Sequence, residues 1–119
     1  MIAIRGAASA ENSVQSIREN TMSMLNALLT KNNIAPSDIV SLVFSLTKDL
    51  TALNPATVAR MQCGFTETAL FCVQEAVTDG APDGIIRVLA FAESNRKPVN
   101  VYLGKTAQLK HQFESFVKM

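Results

Sequence analysis

Apolar and polar positions along the 119 residues follow two different periods. Short apolar runs stopped by small or polar residues predict strands, whereas apolar residues three and four positions apart predict a helix. We expect strands over 2–8 (IAIRGAA), 39–46 (IVSLVFSL), 68–75, 85–92 (IIRVLAFA) and, briefly, 99–103.

A long helix is predicted between the first two strands. Asn12 is the expected N-cap, with Gln15 three residues later in the manner of a capping box. Asn32-Asn33 and Pro36 should end the helix. Its apolar face consists of residues at helical spacing, namely Val14, Ile17, Thr21, Met24, Leu25 and Leu28.

Two shorter segments also have helical features. Pro55 suits the first position of a helical turn capped by Asn54, and Gly64 should end that turn. Near the end of the sequence, Leu109, Phe113 and Phe116 share one helical face. We therefore expect the segment 108–119 to form a weakly amphipathic helix or a mobile tail.

The order of these elements predicts one α+β domain over residues 1–119. It indicates a mixed β-sheet with a helix layer on one side. The other face of the sheet then needs cover. Only 18% of the residues are charged, against about 25% in ordinary domains, so self-association is the expected cover.

Composition excludes several classes of function. A net charge of +1 argues against a general binder of nucleic acid phosphates. No apolar run approaches the ~18–20 residues of a membrane span, and the segment Met1 to Arg5 lacks the basic start of a signal peptide. We expect a cytoplasmic protein in which Cys63 and Cys72 are free thiols.

Named catalytic and metal-binding motifs are absent from the sequence. There is no glycine-rich phosphate loop, and His111 is the single histidine, which makes a hydrolytic triad or a zinc site improbable. We expect no metal and no cofactor.

Charged residues inside apolar strands are the main candidates for chemistry. Arg5 lies in IAIRG, Arg87 lies in IIRVL, and Glu75 closes the run ALFCVQE. An arginine in such a place needs an anionic or carbonyl partner, and together with Arg60 these residues could bind a ligand with carboxylates. Alternatively, each arginine lies at a strand end, reaches water, or pairs with Glu75. From the residues alone, Cys72 and Tyr102 are ordinary core or core-edge positions.

Five short segments, in order, resemble the monofunctional chorismate mutases of the Bacillus type. They are Ile4-Arg5-Gly6-Ala7, Asp49-Leu50-x-x-x-x-Pro55-Ala56-x-x-x-Arg60, Cys72-x-Gln74-Glu75, Ile86-Arg87-Val88 and Val101-Tyr102-Leu103. The resemblance implies a trimeric pseudo-barrel with active sites between subunits. It also implies the rearrangement of chorismate to prephenate, on the route to phenylalanine and tyrosine, without a cofactor.

The resemblance assigns roles to the charged strand residues. Arg87 would face the ether oxygen of the substrate, and Glu75 would take the ring hydroxyl. Arg5 and Tyr102 would bind a substrate carboxylate, Arg60 would come from the adjacent subunit, and Cys72 would lie against the ring. Further lining positions carried over from the family are Asn54, Ala56, Thr57, Leu70, Phe71, Leu109 and Lys110.

Three of these positions depart from the family pattern, namely Asn54, Thr57 and Lys110. They concern the rim of the cleft and the tail rather than the central charged residues. Two alternatives from other classes remain open. One is a trimeric carboxylate-binding regulatory protein or an imine deaminase with the same inter-subunit cleft, and the other is a scaffold whose strand arginines are structural.

Overall fold

The computed structural model describes residues 1–108 and shows the predicted mixed α+β architecture. Its elements are β1 (Ile2–Ser9), α1 (Val14–Asn32), a short 3-10 helix (Pro36–Asp38), β2 (Ile39–Leu46), α2 (Pro55–Gln62), β3 (Ala69–Gln74), β4 (Ile85–Ala92) and β5 (Val101–Tyr102). Apart from Gln108, the predicted terminal helix lies outside the described residues.

The five strands form one mixed sheet in the order β3-β2-β4-β1-β5. The central strand β4 is antiparallel to both β1 and β2. The outer strands β3 and β5 are parallel to β2 and β1, respectively. The last strand of the chain therefore lies beside the first.

The N-terminus of α1 differs from the prediction by one residue. Ser13, not Asn12, is the N-cap, and its hydroxyl accepts a 3.0 Å hydrogen bond from the Ser16 N–H. The prediction of Asn12 was wrong because its amide oxygen instead accepts the backbone N–H groups of Thr51 and Ala52, both at 2.9 Å. Either side chain can cap a helix, and only the tertiary contact to the 51–52 segment separates them.

The other helix ends agree with the sequence. Asn33 closes α1 in the left-handed conformation at φ 52°, which asparagine tolerates better than most residues. At α2, the side chain of Asn54 accepts the Ala56 N–H at 2.8 Å and Pro55 takes the first helical position. The predicted short turn is a helix of eight residues. Within residues 1–108, every helix is too short or too polar to span a bilayer.

Both helices pack on one face of the sheet, which we call the covered face. Phe44, Ile86 and Val88 point into this layer and are buried against α1 and α2. Gly6 permits the close packing of α1, because a Cβ there would lie 2.9 Å from Val88 Cγ1 and 3.4 Å from Met24 Cγ.

The opposite face of the sheet, which we call the open face, has no helix over it in the described chain. Strand register aligns one row of side chains across all five strands, namely Val73, Ser45, Arg87, Ala7 and Tyr102. The adjacent row holds Phe71, Val43, Leu89 and Arg5. Apolar and cationic side chains therefore alternate on a surface that faces solvent.

Candidate active site

An open pocket of about 810 Å³ lies on the open face, where β2, β4, β1 and β5 run side by side. Three of the residues predicted from the sequence, Arg5, Arg87 and Tyr102, line it together. The register explains this, since Arg87 and Tyr102 both lie opposite Ala7 in the same row. The volume is in the range of pockets that bind small molecules.

Arg87 and Glu75 meet at one edge of this pocket. The Arg87 Nε lies 3.5 Å from the Glu75 Oε1, and the Ser45 hydroxyl donates to that same oxygen at 2.8 Å. Glu75 is held at this edge because its N–H donates to the Leu46 carbonyl at 2.7 Å, one residue beyond β3. The Arg87 side chain is 55% exposed, so a ligand in the pocket can reach it.

Arg5 gives the pocket a second cation. It lies opposite Leu89, two residues from the position opposite Arg87, and such diagonal neighbours on paired strands are roughly 7–8 Å apart. Among residues 1–108, the Arg5 guanidinium has no ion pair. The pocket therefore holds two guanidinium groups against one nearby carboxylate, a balance that favours an anionic ligand.

The start of β4, which carries Arg87, is fixed by a small polar network. Gly84 N–H donates to the Asp49 carboxylate at 3.1 Å, and Ile85 N–H donates to the Thr47 hydroxyl at 3.0 Å. Burial acts to raise the pKa of Asp49, but hydrogen bonds from Thr47 and Gly84 outweigh it and hold that pKa below its ordinary value of 3.8.

The predicted lining residues of α2 are not part of this pocket within one chain. Ala56 packs against the core, whereas Asn54 and Arg60 are exposed on the helix side of the molecule. Thr57 lies in the same helix and is half-buried.

The predicted residues of β3 are divided between the two faces. Leu70 and Cys72 pack against the core on the covered face, and burial raises the pKa of the Cys72 thiol. Phe71 is on the open face and is 63% exposed. Both cysteines, Cys63 and Cys72, are free thiols. Leu109 and Lys110 lie outside the described residues.

Three polar residues of the pocket, Ser45, Asn100 and Thr106, were not predicted from the sequence. Ser45 bonds to Glu75, and Asn100 accepts the Arg5 N–H at 2.9 Å through its side-chain oxygen. The alternation of Ser41 and Ser45 in β2 was a usable signal for a polar side chain on the open face. Asn100 gave no such signal, because it precedes a strand of only two residues.

Within the described ranges, no three histidine, cysteine, aspartate or glutamate side chains come close enough together to hold a metal ion. The pocket and its edge bring together two guanidinium groups, one carboxylate and a phenol beside apolar side chains, and these can act on a ligand through charge and hydrogen bonds.

Comparisons with known proteins all identify the same family. Residues 1–113 match the family model described as chorismate mutase type I. The chain is 30% identical to the chorismate mutase AroH of Bacillus subtilis, over 90% of this chain and 87% of that protein. It is 31% identical to the chorismate mutase AroH of Thermus thermophilus, over 94% and 95% of the two chains.

A solved structure gives the same result for the fold. A chorismate mutase from Clostridium thermocellum matches with a TM-score of 0.87 and 34% identity, covering 91% of this chain and 99% of that one. None of these matches supports the regulatory protein or the imine deaminase that the sequence left open.

Proposed function

This chain belongs to the chorismate mutase type I family and is a chorismate mutase, an isomerase, and we propose that it converts chorismate to prephenate in the open-face pocket. One observation supports this location of the active site: Arg5, Arg87 and Tyr102 line the same pocket, and Glu75 pairs with Arg87 at its edge.

The proposed reaction needs no group that moves a proton or forms a covalent intermediate. Chorismate rearranges within one molecule, so the protein has to hold a compact conformer and stabilise the charge that develops as the ether bond breaks. Fixed guanidinium groups on a rigid sheet suit both tasks, because they need no reorganisation while the bond breaks.

Arg87 and Glu75 are proposed to act on the reacting atoms. The Arg87 guanidinium would donate to the ether oxygen, where negative charge grows in the transition state. Glu75 would accept a hydrogen bond from the ring hydroxyl on the side of developing positive charge. Their ion pair at 3.5 Å, with Ser45 bonded to the same carboxylate oxygen, supports this role because it holds both side chains before substrate arrives.

Arg5 and Tyr102 are proposed to bind a substrate carboxylate. They belong to adjacent parallel strands and line the same pocket. A guanidinium can bind a carboxylate through two parallel hydrogen bonds, which fixes both the position and the orientation of the ligand.

We further propose a homotrimer in which the open face is covered by neighbouring copies. Three exposed apolar side chains on this face support the trimer, namely Phe71, Val73 and Leu89. Monomeric proteins rarely expose several large apolar side chains next to one another. In this arrangement α2 of the adjacent subunit would bring Arg60, with Asn54, Ala56 and Thr57, to the rim of the pocket. Cys72, Leu70, Leu109 and Lys110 stay proposed lining residues on the family pattern alone, and the cytoplasm stays the proposed compartment.

The direct test is to mix the purified protein with chorismate and follow the loss of its ultraviolet absorbance. We expect loss that is proportional to protein concentration and insensitive to a metal chelator. No loss at micromolar protein would remove the proposed function. Light scattering tests the trimer separately, and a monomer at the concentration of the activity assay would contradict it.

A further inference from the structure

The backbone of β1 is paired in an unusual way where the substrate carboxylate is proposed to bind. The main-chain pairing of β1 with β5 starts at Gly6 and Val101. One residue earlier, the N–H of Arg5 donates to the side-chain oxygen of Asn100 at 2.9 Å. The Asn100 side chain thus accepts the Arg5 N–H, which a main-chain carbonyl would have accepted if β5 had continued.

The reason that β5 does not continue lies in α1. Asn32, buried at the end of that helix, accepts the Val99 N–H at 2.8 Å and donates to the Val99 carbonyl at 2.9 Å. The same amide nitrogen donates to the Leu28 carbonyl within the helix. Both backbone groups of Val99 are therefore used by Asn32, which fixes the position of the next residue, Asn100.

This arrangement determines which way the Asn100 amide points. A backbone N–H needs an acceptor, so the Oδ1 of Asn100 faces β1 and the Nδ2 is turned away from it. Asn100 lines the pocket next to Arg5 and Tyr102. Among residues 1–108, its Nδ2 has no acceptor. The amide group of Asn100 thus has two N–H donors to offer, in a pocket lining that also includes Arg5.

We propose that Asn100 Nδ2 donates a hydrogen bond to the substrate carboxylate that Arg5 and Tyr102 bind. The inference rests on the proposed function for the identity of the substrate. A carboxylate has about four acceptor positions, so it can take two bonds from a guanidinium and still accept an amide N–H. Asn100 is then a substrate-binding residue, and Asn32 is the residue that positions it.

Two substitutions of Asn100 separate this role from a purely structural one. Asn100→Asp keeps an oxygen for the Arg5 N–H but replaces the donor with a negative charge. Asn100→Ala removes both groups. If Asn100 only supports β1, Asn100→Ala should be impaired, and Asn100→Asp should lose no more affinity than a variant that adds the same charge elsewhere in the pocket lining. If it binds the carboxylate, Asn100→Asp should be the weaker of the two.

The measurements are KM and kcat for chorismate and the Kd for prephenate by titration calorimetry. We expect Asn100→Ala to raise KM about tenfold, as for one hydrogen bond to a charged group, with kcat changed less than about twofold. Asn100→Asp should raise KM and Kd several times further. Val99→Asp adds the same charge at a half-exposed neighbour that also lines the pocket, and it should raise both constants less than Asn100→Asp does.

Asn100→Asp with a KM and Kd equal to or better than those of Asn100→Ala, or no higher than those of Val99→Asp, would overturn the proposal. If the wild type does not turn over chorismate but the Kd values keep the expected order, the proposed function fails and the carboxylate contact of Asn100 stands.

Discussion

The two faces of the sheet are made by the same strands and yet have opposite chemistry. Along β4, Val88 on the covered face is 3% exposed, while its neighbour Leu89 on the open face is 37% exposed. The covered face holds apolar side chains and a glycine, whereas Arg5 and Arg87 lie on the open face. The difference follows from the period of two in a strand, which sends neighbouring residues to opposite environments.

A fold of this kind can hold charged functional groups on the uncovered face of its sheet. A guanidinium buried under α1 and α2 without a partner would destabilise the fold, because its hydration would be lost. On the open face, the same group keeps its water until a ligand or another chain replaces it. Stability can thus depend on one face and binding on the other.

The largest expected effect tests the covered face. Phe44 is fully buried between the sheet and the helices, so Phe44→Ala should lower the free energy of unfolding by about 3–5 kcal/mol. Chemical denaturation followed by circular dichroism measures it.

Phe71→Ala on the open face is the matched control for this substitution. In an isolated chain the loss should be small, because Phe71 is mostly exposed. Any larger loss should shrink on dilution, since it would come from association between chains. A Phe44→Ala protein within about 1 kcal/mol of the wild type would contradict the division between the two faces.

The second effect tests the open face. Arg87→Ala should lower kcat by about 10²–10³-fold, equivalent to roughly 3–4 kcal/mol of transition-state stabilisation, as for other donors aimed at developing charge. Its stability should change little, because the side chain is more than half exposed. Arg87→Lys should also be poor, because an ammonium cannot reproduce the planar fork of a guanidinium.

Arg96→Ala, in an exposed turn outside the pocket, is the control for loss of an arginine and should keep full turnover. Steady-state kinetics with chorismate decide the matter, and an Arg87→Ala protein with wild-type kcat would refute the role of Arg87.

The smallest expected effect concerns Asp49, whose carboxylate accepts the Gly84 N–H just before β4. Its pKa is lower in the folded chain than in the unfolded one, so its stabilisation is complete above the unfolded pKa near 4 and disappears as pH falls through the folded value. Asp49→Asn should therefore be less stable than the wild type at pH 6, by less than about 1 kcal/mol because Asp49 is only partly buried and solvent weakens its charge interactions.

Thermal unfolding at a series of pH values tests the role of Asp49. The difference between the two proteins should narrow below about pH 4. A difference that is constant from pH 3 to pH 7 would show that the charge of Asp49 has no part in it.

The strands and the long helix could be predicted because their signals are local. The bounds 39–46 and 85–92 agree with β2 and β4, and Asn33 and Pro55 lie at helix ends for reasons that a few neighbouring residues supply. The open-face pocket could be anticipated for a related reason. An arginine in an apolar strand is unfavourable unless one face is uncovered, and Arg5 and Arg87 share that face.

The rest depends on contacts between distant parts of the chain. The choice between Asn12 and Ser13 as N-cap is made by residues 51–52, almost forty positions away. The position of Asn100 depends on Asn32, which is separated from Val99 by 67 residues. The proposed lining residues of α2 lie on the helix side of their own chain, so the fold of one chain does not bring them to its own pocket.

The pairing of β1 with β5 has a consequence for how the protein is made. Arg5 and Asn100 are 95 residues apart, so during synthesis one wall of the pocket leaves the ribosome long before the other. Until β4 emerges, both edges of β1 lack their partners, and an unpaired strand edge can pair with other chains. A ligand that bound residues of both β1 and β5 would stabilise the completed fold, because a partly made chain lacks one of the two strands. Because the pocket needs both β1 and β5, ligand binding indicates that the whole chain has folded.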